Sequence, residues 1–590
     1  MTPSAFLPRL LALGLTLMSI GVLTLPAPLR AEEPKEVMNF ALIDHHGDLR
    51  ELRRSGGKAV VLFFTANGCP VARQNASKVR ELRERYSDRG VSVFMVNSSI
   101  ADDRRSITKE ANELRVWHVP VLKDDSQGVA RHLGVTRTAE AIAISTKDWS
   151  IFYRGAIDDQ MVEGAQKPKA TKLYLEKALD QFLQGQPVQT AKTVARGCKI
   201  EFDAGEGPDS APVSYATTIV PLLEKKCVHC HSTGNIGSWA MTQHKKVKSM
   251  ASMIEEVILT RRMPPWDADP SIGHFSNDSS LSIAEQQTLL RWIHQGAPRG
   301  EGTDPLESVV VKQAEEWPLG KPDIILRLPK PQKIAATGVF DYRHITVLAG
   351  NEEEAWVGAC WVKPGNRKVV HHVIARLKDG GRTDALGQRE TFVGWAPGTT
   401  QGRLPEGTGK LLPKNARFDI ELHYTANGSE QTDESEVGLY LLPSKPARRF
   451  ESVPMVNVGF EIKPGDPDSQ TQAFHGFKND ATLYSVTPHM HLRGKWMRFD
   501  LMLPNGKRET LCSVPRYDFA WQQTYMFKEP KKVPAGSWIQ ITGGYDNSSL
   551  NPANPDPKKT VHWGDQSFDE MFLGYCNVAW EPETPKHASR

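Results

Sequence analysis

Three different hydrophobic patterns follow one another along the chain. After an apolar opening segment, residues 35–200 alternate apolar runs such as KAVVLFF, VSVFMVN and AEAIAIS with charged amphipathic stretches such as SKVRELRERYSDRG. Continuous apolar strands separated by helices predict an α/β domain around a central sheet. Residues 210–303 change to short helical periodicities and loops, an all-α domain; LSIAEQQTLLRWIHQGAPRG has a cap at Ser282, helical apolar spacing and a glycine stop. Met250 and Met253 fall on an amphipathic helix and are expected in its core. Beyond the linker EEWPLGKPDIILRLP, short alternating runs such as ARFDIELHYT, TLYSVTPHMH and WIQITGGYD are punctuated by Pro, Gly and Asn. That pattern predicts an all-β half of two packed sandwiches, 325–450 and 451–585.

Length and charge narrow the picture. At 590 residues the chain is too long for a single core. The net charge of +4 is spread without a basic block, so nothing points to nucleic acid. Residues 1–31 carry Arg9, then LLALGLTLMSIGVLTL, then PAPLRAEEP, the layout of an export signal. Retention of that segment as a membrane anchor is the alternative, since Leu29-Arg30-Ala31 is a poor small-x-small cleavage site; no later apolar run is long enough to cross a bilayer. Seven cysteines are too few for a disulfide scaffold and read as having individual jobs. Among them Cys360, Cys512 and Cys576 allow one disulfide in an oxidising compartment, with the pairing open.

Cys69, in TANGCPVAR, follows the first strong strand directly and so sits at a strand-to-helix turn, where a helix N-terminus favours thiolate. With YRGAIDD, Tyr153 to Asp159, these residues resemble the thioredoxin-like and peroxiredoxin-like superfamily. Ala72 stands where a thioredoxin carries its second cysteine, and Ala139 where a proline is usual. Thr65 lies four before Cys69 where peroxidases of this kind use a threonine three before. Two readings remain: a thiol partnered by the distant Cys198, or a degenerate domain kept as a docking scaffold.

In CVHCHSTG, Cys227 and Cys230 are spaced to add across the two vinyl groups of one haem, with His231 as proximal ligand. A zinc knuckle would need a second ligand pair, and none follows at finger spacing. Met263, in RRMPPW, is the candidate sixth ligand, because two prolines after it forbid helix and hold an extended loop. The segment resembles a cytochrome c domain.

The β half concentrates histidines: His371 and His372 in RKVVHHVIARL, His423 in ELHYT, His489 and His491 in TPHMH, with Met571 in FDEMFLGYC. Residues two apart on a strand project to one side, so His489 and His491 form a plausible half-site. Adjacent residues on a flat strand do not, so His371 and His372 share a metal only if the strand bulges there. The pattern resembles the ascorbate-dependent type II copper monooxygenases, the family of peptidylglycine alpha-hydroxylating monooxygenase and dopamine beta-hydroxylase. That resemblance implies two copper ions, one held by His371, His372 and His423, the other by His489, His491 and Met571, with Tyr575 beside the reactive site. A thioether is soft and favours Cu(I), while imidazole suits both oxidation states.

The resemblance implies hydroxylation of a C–H bond of a small-molecule or peptide substrate by O2. Electrons would come from the fused haem, from ascorbate or another external reductant, or from a periplasmic donor protein. Export with covalent haem places the chain in a bacterial periplasm or at the cell surface. Two rival classes are an exported electron-transfer protein whose β half binds copper without turning over substrate, and a thiol peroxidase using Cys69. The loop GWAPGTTQGRLPEG does not tell a peptide from a catechol or a lipid.

Overall fold

The computed structural model describes residues 36–162, 165–202, 212–309, 316–338, 340–378, 390–396, 399 and 401–582. The export signal expected at 1–31 lies outside them. No helix among the described residues is long and apolar enough to cross a membrane.

The strand Ala59–Thr65 shows how the first unit is built. All seven of its residues are buried. Alternate side chains leave by opposite faces, and the two sets enter two different cores. Ala59, Val61 and Phe63 pack with Ala72, Val79 and Leu82 of the helix Pro70–Tyr86. Val60, Leu62 and Phe64 share a core with Tyr215, Leu223, Leu290 and Trp292 of the helical segment that follows. The sheet has seven strands in the order Leu49–Glu51, Ala41–Asp44, Val121–Lys123, Val91–Asn97, Ala59–Thr65, Ala141–Ser145 and Ile151–Gly155. Pairing is parallel between its three central members and antiparallel at both ends.

The helical segment therefore has no core of its own; it covers the second face of this sheet. Its helices include His244–Ser249, Ala251–Leu259 and Ile283–His294. The last opens with Ser282 accepting from the Glu285 N–H while Glu285 accepts from the Ser282 N–H, the reciprocal cap expected at that serine. Met250 is partly buried against the shared core, but Met253 is 53% exposed, which corrects its placement in a core: its helix offers only one apolar face and Met253 lies off it.

The all-β half is joined more tightly than two separate sandwiches. A single nine-stranded sheet runs through it, because Thr408–Leu412 pairs in parallel with Arg448–Val456. Two four-stranded sheets back it. One comprises Arg343–Leu348, Arg417–Tyr424, Val370–Leu377 and Thr391–Trp395; the other Ser469–Gly476, Trp538–Tyr545, Gly494–Met502 and Arg508–Val514. Each layer pair encloses its own apolar core. Cys360 lies in the first core and Cys512 and Cys576 in the second, all three buried as free thiols, so the disulfide allowed by their number is not formed.

Candidate metal and redox sites

The first histidine cluster depends on an irregular strand pair. Val370–Leu377 and Arg417–Tyr424 run antiparallel, and their register shifts between Val370 and His372. The shift brings the adjacent His371 and His372 to one side, with His423 directly opposite His372. The Nδ1 atoms of His371 and His372 are 3.5 Å apart, and those of His423 and His371 3.2 Å. One nitrogen from each ring lies within 4.8 Å of the others. Burial pushes the His371 imidazole down to about 3 and His423 to about 2, so both rings are neutral at pH 7, the form that donates to a metal.

Glu421, two residues before His423, orients this cluster. The His372 Nε2–H donates to its carboxylate at 3.0 Å, which turns Nδ1 toward the other two rings, and Arg376 donates to it at 2.5 Å. Burial alone would raise this carboxyl; the Arg376 guanidinium and His372 outweigh it and hold it well below the ordinary carboxylate range.

The second group forms where Ala481–His489 ends beside the start of Leu573–Trp580. His489 donates its Nδ1–H to Gln522 at 2.7 Å, leaving Nε2 free, and its ring lies 5.3 Å from that of His491. His491 is fully buried, yet neither ring nitrogen has a hydrogen-bond partner of good geometry among the described residues, the Asp569 backbone offering only a loose approach. Glu570 ties the pieces together: its carboxyl oxygens accept the His491 N–H at 2.8 Å and the Arg493 N–H at 2.6 Å, and Met571 is the next residue. Burial pushes the Glu570 carboxyl up to about 8. The Tyr545 hydroxyl donates to the Met571 carbonyl at 2.7 Å. Burial lowers His489 to about 4 and His491 to about 3.

The two groups face one another. A cleft of about 210 Å³ is lined by Tyr342, His372 and Glu421 on one side and by His489, Met571 and Tyr575 on the other. Tyr342 stands between the clusters, its ring 4.5 Å from His423, 5.1 Å from His372 and 6.4 Å from His491. Its buried hydroxyl has no partner among the described residues. Phe519 also bridges them, stacked on His371 at 5.2 Å and 5.7 Å from His491. Sequence reasoning missed Glu421, Gln522, Glu570 and Tyr342. Glu421, two before His423 on the same strand face, and Glu570, immediately before Met571, left a local signal; Gln522 and Tyr342 come from loops away from the histidine motifs.

In the helical segment, Cys227, Cys230 and His231 share one turn, with the Cys230 and His231 N–H groups bonded to the Cys227 carbonyl. The His231 Nδ1 makes a 2.9 Å bond to the Trp239 carbonyl, which leaves Nε2 as the free ligating atom. Both cysteines are free thiols, and burial pushes Cys227 up to about 12. Met263 lies elsewhere: it lines a cavity of about 610 Å³ between the helical segment and the first sheet, whose walls do not include Cys227, Cys230 or His231. The chain after Met263 continues onto the second sandwich, where Phe275 bridges Phe527 and Trp266 packs on Tyr525.

Cys69 caps the helix Pro70–Tyr86, as its position after the strand implied. Its Sγ lies 2.6 Å from that of Cys198. Ala139 takes a left-handed φ of 57°.

Against known proteins, residues 34–157 match the AhpC/TSA family. The thiol-disulfide oxidoreductase ResA of Halalkalibacterium halodurans is 25% identical over 134 residues, 22% of this chain and 74% of that protein. Among solved structures, an uncharacterized conserved protein from Geobacillus kaustophilus is 26% identical and covers 30% of this chain and 94% of its own, with a TM-score of 0.28. The peroxidoxin BcpB of Mycobacterium tuberculosis is 22% identical over 26% of this chain and 94% of its own, with a TM-score of 0.19. The N-terminal α/β unit is a redoxin domain of the thioredoxin/peroxiredoxin-like kind.

Proposed function

We propose that the chain is an exported copper-dependent monooxygenase that hydroxylates a C–H bond with O2 and takes its electrons from a haem bound to its own helical segment. The observation that carries this reading is the convergence of three imidazoles, two of them buried and one partly buried, across one cleft from His489 and Met571, with His491 buried beside them and short of partners. His371, His372 and His423 would hold one copper ion, and His489, His491 and Met571 the other. Cys227, Cys230 and His231 would hold a c-type haem, with ascorbate or another small reductant as the alternative electron source. Bound copper would supply one-electron chemistry, the thioether favouring the Cu(I) state that meets O2.

The chain's own residues account for the rest. Glu421 keeps the proton of His372 on Nε2, and Gln522 keeps that of His489 on Nδ1, so each ring offers its other nitrogen. Glu570 holds the backbone of His491 and is followed directly by Met571, so one residue ties these two candidate ligands together. Tyr575 lines the cleft and would orient substrate there. A cleft of about 210 Å³ suits one side chain or a small molecule more than a bulky lipid. Covalent haem attachment would require passage into a periplasm or to the cell surface, in line with the apolar leader.

The test is anaerobic. Copper-loaded protein is reduced until the haem is ferrous, O2 is admitted, and haem absorbance is followed for the wild type and Met571→Ala. Reoxidation slowed by roughly tenfold or more in the variant is the expected result, a barrier raised by at least about 1.4 kcal/mol. Equal rates would remove copper from the electron path and leave an electron-transfer protein without hydroxylase activity.

A further inference from the structure

The thiols of the redoxin domain take no part in the copper chemistry, yet they are built into a site. Cys69 is 4% exposed at the cap of the helix Pro70–Tyr86, whereas Cys198 is exposed on the chain leaving the domain. That exit chain is seated as a short strand. The Thr138 N–H donates to the Cys198 carbonyl and the Ile200 N–H to the Thr136 carbonyl, each at 2.9 Å, and Arg137 bridges Lys199 antiparallel. The Cys198 N–H donates to the Thr138 hydroxyl at 2.9 Å, and the same hydroxyl is 3.0 Å from the Cys69 sulfur. A Cβ at Gly197 would fall 1.9 Å from the Thr138 carbonyl oxygen, so only glycine fits immediately before this cysteine. Ala72 holds the place on the helix where a nearer thiol would sit.

We infer that Cys69 and Cys198 form a reversible dithiol–disulfide couple, separated by 129 positions, in which the exit-chain Cys198 is the sulfur that exchanges with an external dithiol. Access decides the order of attack. An incoming thiolate reaches the exposed Cys198 sulfur, forms a mixed disulfide with it, and breaks the bond to Cys69, which leaves with the electron pair. The second thiol of the partner then attacks the partner's own sulfur in the mixed disulfide, and Cys198 departs as thiolate and takes up a proton. One protein disulfide is reduced and one external dithiol oxidised, two electrons passing.

The local chemistry favours Cys69 as the leaving group. Burial would raise its thiol, but hydrogen bonds from Cys198, Thr138 and the Ala72 backbone outweigh burial and lower it. Burial and the neighbouring Cys69 sulfur raise Cys198. A lower-pKa thiol leaves faster, so the buried sulfur carries the charge while the exposed one carries the partner.

Full-length protein, Cys69→Ser and Cys198→Ser are treated with glutathione disulfide at pH 7 and mapped by peptide mass. Oxidised wild type is expected to yield a peptide linked through Cys69 and Cys198 that dithiothreitol releases. Cys69→Ser should gain a glutathione adduct at Cys198, and Cys198→Ser should gain one at Cys69 at least about tenfold more slowly, because its thiol is buried. Absence of the linked peptide in the wild type, which needs no variant to fold, overturns the couple. An adduct forming at Cys69 as fast as at Cys198 overturns the assignment of the exchanging sulfur.

Discussion

Glu421 is the residue on which the first histidine cluster turns, because one carboxylate faces both the His372 Nε2–H and the Arg376 guanidinium. Replacing it by Gln removes the charge while keeping the shape, and the residues predict a copper affinity lower by about 10–100-fold with little change in fold, measured by competition with a chelator. Tyr342→Phe deletes a buried hydroxyl without a partner among the described residues, so it should leave stability within about 0.5 kcal/mol while changing turnover, since Tyr342 lines the cleft between the two histidine groups. The histidines and Met571 were legible as residue types at suggestive spacings. Their protonation was not, because Glu421 and Gln522 are recruited from a neighbouring strand and a distant loop. Gln522 in particular stands 33 positions from His489 in sequence, and no local pattern announces such a contact.

At the scale of elements, the bulge between Val370 and His372 is the feature the adjacent histidines required, and it shows why a two-residue motif reads as chemistry only together with the strand that carries it. The helical segment was legible in its periodicity and in the Ser282 cap, but not its dependence on the redoxin sheet, since an apolar helix face does not say what will cover it. The seam between them holds a buried polar cluster. Glu255 accepts from His294 at 2.8 Å and faces the His132 Nδ1 at 3.4 Å, while the His132 Nε2 accepts the Met38 N–H. Burial would raise Glu255; the two histidines outweigh it and bring it down to about 2 from the ordinary 4.5. A depressed carboxyl contributes stability that is complete above its unfolded value and is lost as pH falls through its folded one. Thermal denaturation should therefore show the wild type losing its advantage over Glu255→Gln between pH 4.5 and about 2. At neutral pH the variant should be less stable by about 1–3 kcal/mol. An advantage that does not change with pH would exclude the charge as its source.

The whole molecule reads as a relay of packed units. One apolar core is common to the redoxin sheet and the helical segment, so Trp292→Ala, which empties a fully buried site, should cost about 3–5 kcal/mol and unfold both together in one calorimetric transition. The loop after Met263 then ties the helical segment to the second sandwich through Trp266 and Phe275, and the continuous nine-stranded sheet joins the two sandwiches. Fold classes followed from the change of hydrophobic period along the chain; the shared core and the shared sheet did not, because both arise from contacts between units far apart in sequence. The proposed function depends on the two facing histidine groups being metal sites. Elemental analysis of copper bound per chain, for the wild type, His423→Ala and His491→Ala, measures this directly. Two equivalents in the wild type and one in each variant is the expected result, whereas fewer than two in the wild type, or a stoichiometry indifferent to either substitution, would contradict it.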